Sequence, residues 1–188
     1  MKKQLLLPLV ASLLLGGCAS ILDASREQPI TDNHGNRTVG AYIDDEVIET
    51  KAAVNLAKAS PDVQNSHISV TSFNGVVLLT GQTPFDSTRV EAESIVTNIQ
   101  GVRRVHNELA ISGNTEPLAR TNDTWVTTKV KTLLLANENI DGSRIKVVTE
   151  NGTVYLMGLV SREEADVAVN IVRSINGVLK IIKVFEYI

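Results

Sequence analysis

The sequence predicts an α+β fold built from two tandem copies of one small α-β-β-α-β domain, each a three-stranded mixed sheet covered by two helices. The first observation is an internal repeat of about 77 residues, in which Asn74-Gly75 recurs as Asn151-Gly152. Gly101-Val102 recurs in the same way as Gly177-Val178. Both Asn-Gly pairs also lie between β-rich runs, which predicts hairpins because a type I′ turn needs positive φ at both central residues. Such a period is too long for a solenoid, so two domains are favoured.

Each copy begins with a predicted helix, at about residues 44–58 and 122–136. Asn122-Asp123 is expected to cap the unpaired N–H groups at the start of the second of these helices. At 100° per residue, one arc of that helix is aliphatic and is predicted to face the core: Val126, Val130, Leu133 and Leu134. The equivalent arc of the first copy consists of Ile48, Ala52 and Leu56.

A second helix follows the hairpin in each copy. Thr83-Pro84 predicts an N-cap with proline at the first helical position, and Ser161 to Glu164 has the pattern of a capping box. Gly101 and Gly177 are expected to end these helices in left-handed geometry. A last strand completes each copy, and the strand–helix–strand crossover should be right-handed.

The predicted boundaries are 41–111 for domain 1, 112–120 for a linker and 121–188 for domain 2. A core of about 70 residues is marginal for an independent domain, so domain 1 is expected to pack against domain 2. Residues 18–40 are mostly polar and lack periodicity, which predicts a flexible tether with a reach of roughly 25 Å.

Residues 1–17 have the pattern of a secretory signal, with a basic start, a short apolar run and small residues at the end. The run Leu15-Gly16-Gly17-Cys18 resembles the bacterial lipoprotein signal, in which the cysteine is acylated and becomes the new N-terminus. Two or three acyl chains, at about 0.8 kcal/mol per buried CH₂, would hold the protein on a bilayer. The absence of aspartate after Cys18 implies, by the same resemblance, export to the outer membrane. The alternative is a chance cysteine in an ordinary signal peptide.

The sequence carries no pattern of an enzyme. It contains no GxSxG, HExxH, P-loop or GxGxxG motif, and Cys18 is its only cysteine. The three histidines lack the spacing of metal ligands: His34, His67 and His106. We therefore expect no catalytic residue, no metal site and no cofactor.

Acidic pairs at the predicted helix starts are explained without catalysis. Asp44-Asp45 and Glu163-Glu164 are expected to complement the helix dipole. The formal net charge of −3 and the low aromatic content also give no sign of nucleic-acid binding, which requires a basic face.

The order of elements, the NGxVxLxG hairpin and the Gly-Val after the second helix together resemble a BON domain (bacterial OsmY and nodulation domain). Two such units behind a lipoprotein signal, with NDTWVTTKVKTLL opening the second, resemble the dual-BON outer-membrane lipoproteins. The resemblance implies a periplasm-facing protein, enriched at the division site, that supports envelope integrity and contacts outer-membrane assembly or cell-wall remodelling proteins. It also implies that the second domain binds anionic phospholipid, phosphatidylglycerol in particular, through its first helix.

The only tryptophan, Trp125, lies on that helix but outside its core arc. An indole ring can sit at lipid-headgroup depth while nearby lysines meet the phosphates. The predicted lipid-binding residues are Trp125 and Leu135 by resemblance, and on geometry Thr128, Lys129, Lys131 and Thr132.

The first copy provides an internal comparison, with Val47, Val54 and Ala57 at the positions of Trp125, Thr132 and Leu135. Residues 43–111 carry five basic and nine acidic side chains, whereas 121–188 carry eight of each. Domain 2 is therefore the copy better able to approach an anionic membrane.

Two other interpretations stay open at this point. Trp125 could instead pack against the first domain, because two marginal domains need a shared interface. The Trp125 face could also dock onto an envelope protein, which would make the chain a periplasmic interaction adaptor. An enzyme would need a polar cluster formed across the domains, and nothing in the sequence predicts one.

Overall fold

The computed structural model describes residues 35–113 and 117–188. The predicted signal sequence at 1–17, Cys18 and the tether up to residue 34 lie outside the described residues, as do residues 114–116 of the predicted linker. No helix in the described part of the chain is long and apolar enough to cross a membrane.

Domain 1 contains three helices and four strands. They are α1 (Val39–Leu56), α2 (Pro61–Gln64), β1 (His67–Phe73), β2 (Val76–Thr83), α3 (Asp86–Thr97), β3 (Arg104–Asn107) and β4 (Ala110–Ile111). β1 pairs antiparallel with β2, and β3 and β4 both pair parallel with β2. The predicted last strand is thus interrupted between its two pieces, and β1 forms one edge of the sheet.

Domain 2 repeats this order. It contains α4 (Pro117–Leu135), a 3₁₀ turn (Gly142–Arg144), β5 (Ile145–Glu150), β6 (Thr153–Val160), α5 (Arg162–Arg173) and β7 (Lys180–Tyr187). β6 lies between an antiparallel β5 and a parallel β7. The predicted α+β class, with two copies of a mixed sheet and covering helices, is confirmed.

The two Asn-Gly turns have the predicted left-handed geometry, with φ of 54° at Asn74 and 47° at Asn151. Each turn is held by a buried aspartate of the first helix. Asp45 accepts hydrogen bonds from the backbone N–H groups of Asn74 (2.7 Å) and Gly75 (2.9 Å). Asp123 accepts the equivalent bonds of the second turn, at 2.7 and 2.8 Å.

These contacts correct two predictions about the helix starts. Asn122-Asp123 does not cap α4, because the helix begins five residues earlier at Pro117. Asp45 likewise lies inside α1, whose N-cap is Thr38, the acceptor of a hydrogen bond from the Ala41 N–H. Both aspartates hold a hairpin turn instead of complementing a helix dipole.

The second helices agree with the sequence only in part. The capping box is confirmed, since Ser161 Oγ accepts from Glu164 N and the Glu164 carboxylate accepts from Ser161 N. Thr83-Pro84 is not an N-cap, because β2 runs through Thr83 and α3 begins at Asp86. Gly101 and Gly177 have the expected positive φ, but they close the turn that follows each helix, whose C-caps are Asn98 and Ser174.

Each sheet is covered by its own helices on one face and by the other sheet on the opposite face. The contact between the sheets is an apolar cluster to which both domains contribute: Phe73, Val76, Leu78, Tyr155, Met157 and Val184. Side chains of this size stabilise the fold by roughly 1.5–3 kcal/mol each when fully buried. The predicted packing of domain 1 against domain 2 is confirmed.

Polar contacts surround this apolar cluster. Arg103 pairs with Glu186 at 2.7 Å, and Lys146 pairs with Glu49 at 2.8 Å. Burial alone would raise the pKa of Glu186, but hydrogen bonds from Arg103 and Asn74 outweigh it and hold the pKa below its usual value. Both pairs join a residue of domain 1 to a residue of domain 2.

Residues 35–40 differ from the flexible tether that the sequence predicted. Gly35 is buried against the guanidinium of Arg144, leaving no room for a β-carbon. Arg37 donates to Asp45 at 2.8 Å and lies over the Phe73 ring, 4.0 Å from its centroid. The ordered unit therefore reaches back to Gly35, where the chain contacts both domains.

Candidate functional site

The outer face of α4 carries the predicted site. Val126, Val130 and Leu134 are at most 1% exposed, which confirms the core arc, while Leu133 is only half-buried. Trp125 is 52% exposed and Leu135 is 64% exposed. This exposure removes the interpretation in which Trp125 is buried against domain 1.

The exposed face has an apolar centre and basic flanks. At 100° per residue, Thr132 lies about 20° and Leu135 about 80° to one side of Trp125. Lys129 lies about 40° to the other side, and Lys131 lies beyond Leu135 at about 120°. Trp125 and Leu135 are separated by about 15 Å along the axis. The apolar strip is thus bordered by one lysine on each side.

The threonines of this face already use their hydroxyl protons. Thr128 Oγ1 donates to the Thr124 carbonyl and Thr132 Oγ1 donates to the Thr128 carbonyl, both at 2.9 Å. Each hydroxyl therefore presents acceptor lone pairs and a methyl group to the outside. Thr128 and Thr132 extend the apolar strip, and neither is a free donor for a phosphate.

The lysines, by contrast, are available to a ligand. Lys129 and Lys131 are exposed and form no ion pair with any residue that the structure describes. The single carboxylate of α4 is Asp123, which is buried and directed at the hairpin turn. No acidic side chain of α4 therefore competes for an anion on its outer face.

Sequence reasoning missed one cation of this surface. Arg120 is exposed and lies on the same flank as Lys131, about 16 Å further towards the start of the helix. The sequence prediction places it in the linker, because the predicted helix begins at residue 122. Pro117 could have indicated the true start, since proline is favoured at the first helical position.

The equivalent helix of domain 1 is also apolar on its outer face but carries the opposite charge. Val39, Ile43 and Val47 are all more than 40% exposed. The exposed charged residues of the same helix include Asp44 and Glu46. Apolar exposure is therefore common to both first helices, and the sign of the charge distinguishes them.

Two ionisable groups with shifted pKa values, Tyr155 and His106, lie outside the outer face of α4. Burial raises the pKa of Tyr155 to about 12, and this residue lies in the apolar cluster between the sheets. Burial lowers the pKa of His106, and Arg104 adds to the effect. Among residues 35–113 and 117–188, no three His, Cys, Asp or Glu side chains are grouped as metal ligands.

The α-β-β-α-β order, the paired aspartate-held turns and the back-to-back sheets define a protein of two related domains. Both match the family model of the BON domain, over residues 44–113 and 122–188. The chain therefore belongs to the BON-domain family and carries two copies of the domain.

Three relatives are similar over most of their length. The chain is 33% identical over 186 residues to a Haemophilus influenzae protein named outer membrane lipoprotein DolP, a match that covers 99% of this chain and 96% of that protein. It is 38% identical over 152 residues to the 21 kDa hemolysin of Actinobacillus pleuropneumoniae, with coverage of 81% and 78%.

The third relative is osmotically-inducible protein Y of Escherichia coli, 29% identical over 143 residues, with coverage of 74% and 71%. None of these three names denotes an enzyme, which agrees with the expectation of a non-catalytic protein.

Proposed function

We propose that this chain is an outer-membrane lipoprotein, anchored through Cys18 and facing the periplasm, whose second BON domain binds anionic phospholipid of the phosphatidylglycerol type. The near full-length similarity to a protein named outer membrane lipoprotein DolP supports the anchoring. The lipid-contact surface consists of Trp125, Leu135, Thr128, Lys129, Lys131 and Thr132, to which we add Arg120.

The observation that carries this proposal is the apolar strip of α4 between two unpaired lysines. Trp125 and Leu135 suit the headgroup boundary, where an indole ring has both apolar and polar surroundings. The threonines can enter the same layer because their hydroxyl protons are bonded within the helix. Lys129 and Lys131 would then reach the phosphates on either side of the strip.

The binding strength of this surface alone is modest. Each lysine near an anionic surface contributes about 1 kcal/mol, and the effect is screened by salt. Attachment through Cys18 would keep the domain beside the bilayer at high effective concentration, so a weak surface suffices. The soluble domains should therefore bind vesicles weakly, and the anchored protein should occupy membrane that is rich in anionic lipid.

The wider role follows from the same proposal. A lipid-reading lipoprotein of this type would support envelope integrity, concentrate at the division site, and contact outer-membrane assembly or cell-wall remodelling proteins. Only the lipid contact rests on residues of α4.

Tryptophan fluorescence of residues 19–188 tests the lipid contact directly, because Trp125 is the only tryptophan. We expect a blue shift with phosphatidylglycerol vesicles, reversal by added salt, and no shift with phosphatidylcholine vesicles. A spectrum that ignores both vesicles would overturn the proposal. Capture of an envelope protein, abolished by Leu135→Glu, would then favour the alternative of an interaction adaptor that uses the same face.

A further inference from the structure

A groove lies beside the edge strand of domain 1, away from the proposed lipid surface. It has a volume of about 540 Å³ and runs between α1, α2 and β1. Its apolar floor includes Leu56, Val63, Ile68 and Val70. The cavity at the corresponding edge of domain 2 is about 310 Å³ and lies near Thr127 and Thr149, whose hydroxyls are hydrogen-bonded at 2.7 Å.

The backbone of β1 offers hydrogen-bonding groups to this groove. Ser72 marks the outward direction, because its N–H donates to Glu49 and its carbonyl accepts from Lys146. Since alternate residues of a strand direct their N–H and C=O groups to the same side, Ile68 and Val70 also direct theirs outward. Those groups have no hydrogen-bond partner among the residues that the structure describes.

Small residues on the helix keep the groove open. Ala53 and Ala57 line it, and the repeat places Lys131 and Leu135 at these positions in domain 2. In domain 2 the chain before β5 also approaches α4 closely, because a β-carbon on Gly142 would lie 2.4 Å from the Leu134 carbonyl. The two copies therefore differ at this edge in a way that their shared fold does not require.

The charge of the groove restricts what can enter it. Glu46 and Glu49 are the charged residues that line it, and Glu49 already pairs with Lys146 and accepts a hydrogen bond from the Ser72 N–H. An incoming segment would thus meet unpaired backbone groups, an apolar floor and a carboxylate at Glu46.

We propose that this groove binds an extended peptide segment of another protein, rich in alternating apolar and basic residues, which adds to β1 as a further strand. Backbone hydrogen bonds to Ile68 and Val70 hold the segment, and this mode of recognition takes specificity from alternate side chains. Apolar side chains face Leu56 and Val63, while a basic side chain meets Glu46. The site makes domain 1 a protein-binding module that works independently of lipid contact by domain 2.

A labelled seven-residue peptide of alternating valine and lysine is a direct probe. It is titrated by fluorescence anisotropy against the full-length protein in neutral detergent micelles. We expect saturable binding and slower amide hydrogen exchange at Ile68 and Val70. The same peptide with glutamate in place of lysine, or N-methylated at alternate backbone nitrogens, should bind at least tenfold more weakly.

The groove can be filled with the side chains that domain 2 carries at the equivalent positions. Ala53→Lys with Ala57→Leu introduces the side chains found at 131 and 135, at two exposed positions in the last turn and at the C-cap of α1, and should weaken peptide binding at least tenfold. Val70→Pro removes an outward N–H that lies outside the β1–β2 ladder and should have a similar effect. Asp44→Lys is the matched control, since it changes the charge of α1 outside the groove and should change binding less than twofold.

Three results would overturn the proposal. The wild type could fail to bind the valine–lysine peptide at millimolar concentration, or bind it equally well after the groove is filled. Light scattering could also reveal a dimer that Ala53→Lys with Ala57→Leu dissociates, which would assign the groove to a second copy of the chain. Trp125 fluorescence with phosphatidylglycerol vesicles stays a separate measurement, so failure of one proposal does not decide the other.

Discussion

The first helices of the two domains, α1 and α4, pack in the same way but present different outer faces. Both bury three aligned residues against their sheet and both direct an aspartate to an Asn-Gly turn. Outside the core, α1 carries aliphatic residues with Asp44 and Glu46, whereas α4 carries Trp125 between two lysines. The two copies thus share the residues that build the domain and differ in their solvent-exposed faces.

The largest effect on stability is expected from the buried aspartate that each of the two helices directs to a hairpin turn. Asp45→Ala would leave the backbone N–H groups of Asn74 and Gly75 without their acceptor, and it would also remove the contacts to Ser72 and Arg37. We expect the free energy of unfolding to fall by about 3 kcal/mol, measured by urea denaturation. Asp123→Ala should cost somewhat less. The exposed neighbour provides the control, because Asp44→Ala should change stability by less than about 0.5 kcal/mol.

The stability should also depend on pH through Asp45. Burial would raise its pKa, but hydrogen bonds from the Gly75 N–H, Ser72, the Asn74 N–H and Arg37 outweigh burial and lower it. Because the pKa is lower in the folded state, the stabilisation is fully present above the ordinary carboxyl pKa of 3.8 and is lost as the pH falls through the folded value. Asp45→Asn should flatten the acid limb of the stability profile, and an unchanged limb would assign the effect to other carboxyls.

Truncating the exposed apolar side chains of α4 tests whether they distinguish α4 from α1 in membrane binding. Trp125→Ala with Leu135→Ala should weaken partition into phosphatidylglycerol vesicles by tenfold or more, because both apolar contacts with the bilayer are lost. Vesicle co-sedimentation measures the change. Val47→Ala with Val54→Ala removes exposed apolar surface from the outer face of α1, and equal losses from both pairs would show that the membrane contact does not distinguish the domains.

A smaller effect is expected from charge alone. Lys129→Gln and Lys131→Gln should each reduce vesicle binding about fivefold at low salt, in line with about 1 kcal/mol per cation. The reduction should diminish at 0.5 M salt, where the Debye length is short. Lys51→Gln on α1 should have no effect, so sensitivity there would indicate a diffuse attraction of the whole molecule.

Much of the architecture could be predicted because its signals are local or repeated. Two Asn-Gly turns, a capping box at Ser161 and a three-residue core arc are short patterns, and the repeat allowed the turn and the core arc to be checked twice. The helix starts could not be predicted in this way. Asp123 has the residue type of a cap, but its carboxylate bonds to a turn 28 residues away, which only the folded chain brings close.

The outer face of α4 could be predicted only in part, because some of its signals are local and others depend on the folded chain. The outward position of Trp125 and Leu135 follows from helical geometry, so exposure could be anticipated. Arg120 was missed because the helix start was misplaced. The contact of Arg103 with Glu186 and the groove beside β1 depend on the arrangement of distant segments, and no local pattern reports them.

The most direct test of the account moves the single tryptophan between the two helices. Trp125 in the wild type is compared with Val47→Trp in a Trp125→Phe background, which places the indole at the equivalent position of α1. Quenching by phosphatidylglycerol vesicles containing brominated lipid is measured for both. If α4 is the membrane-binding helix, quenching should be strong at position 125, at headgroup depth, and absent at position 47. Equal quenching at both positions, or none at 125, would contradict the claim that α4 is the membrane-binding helix.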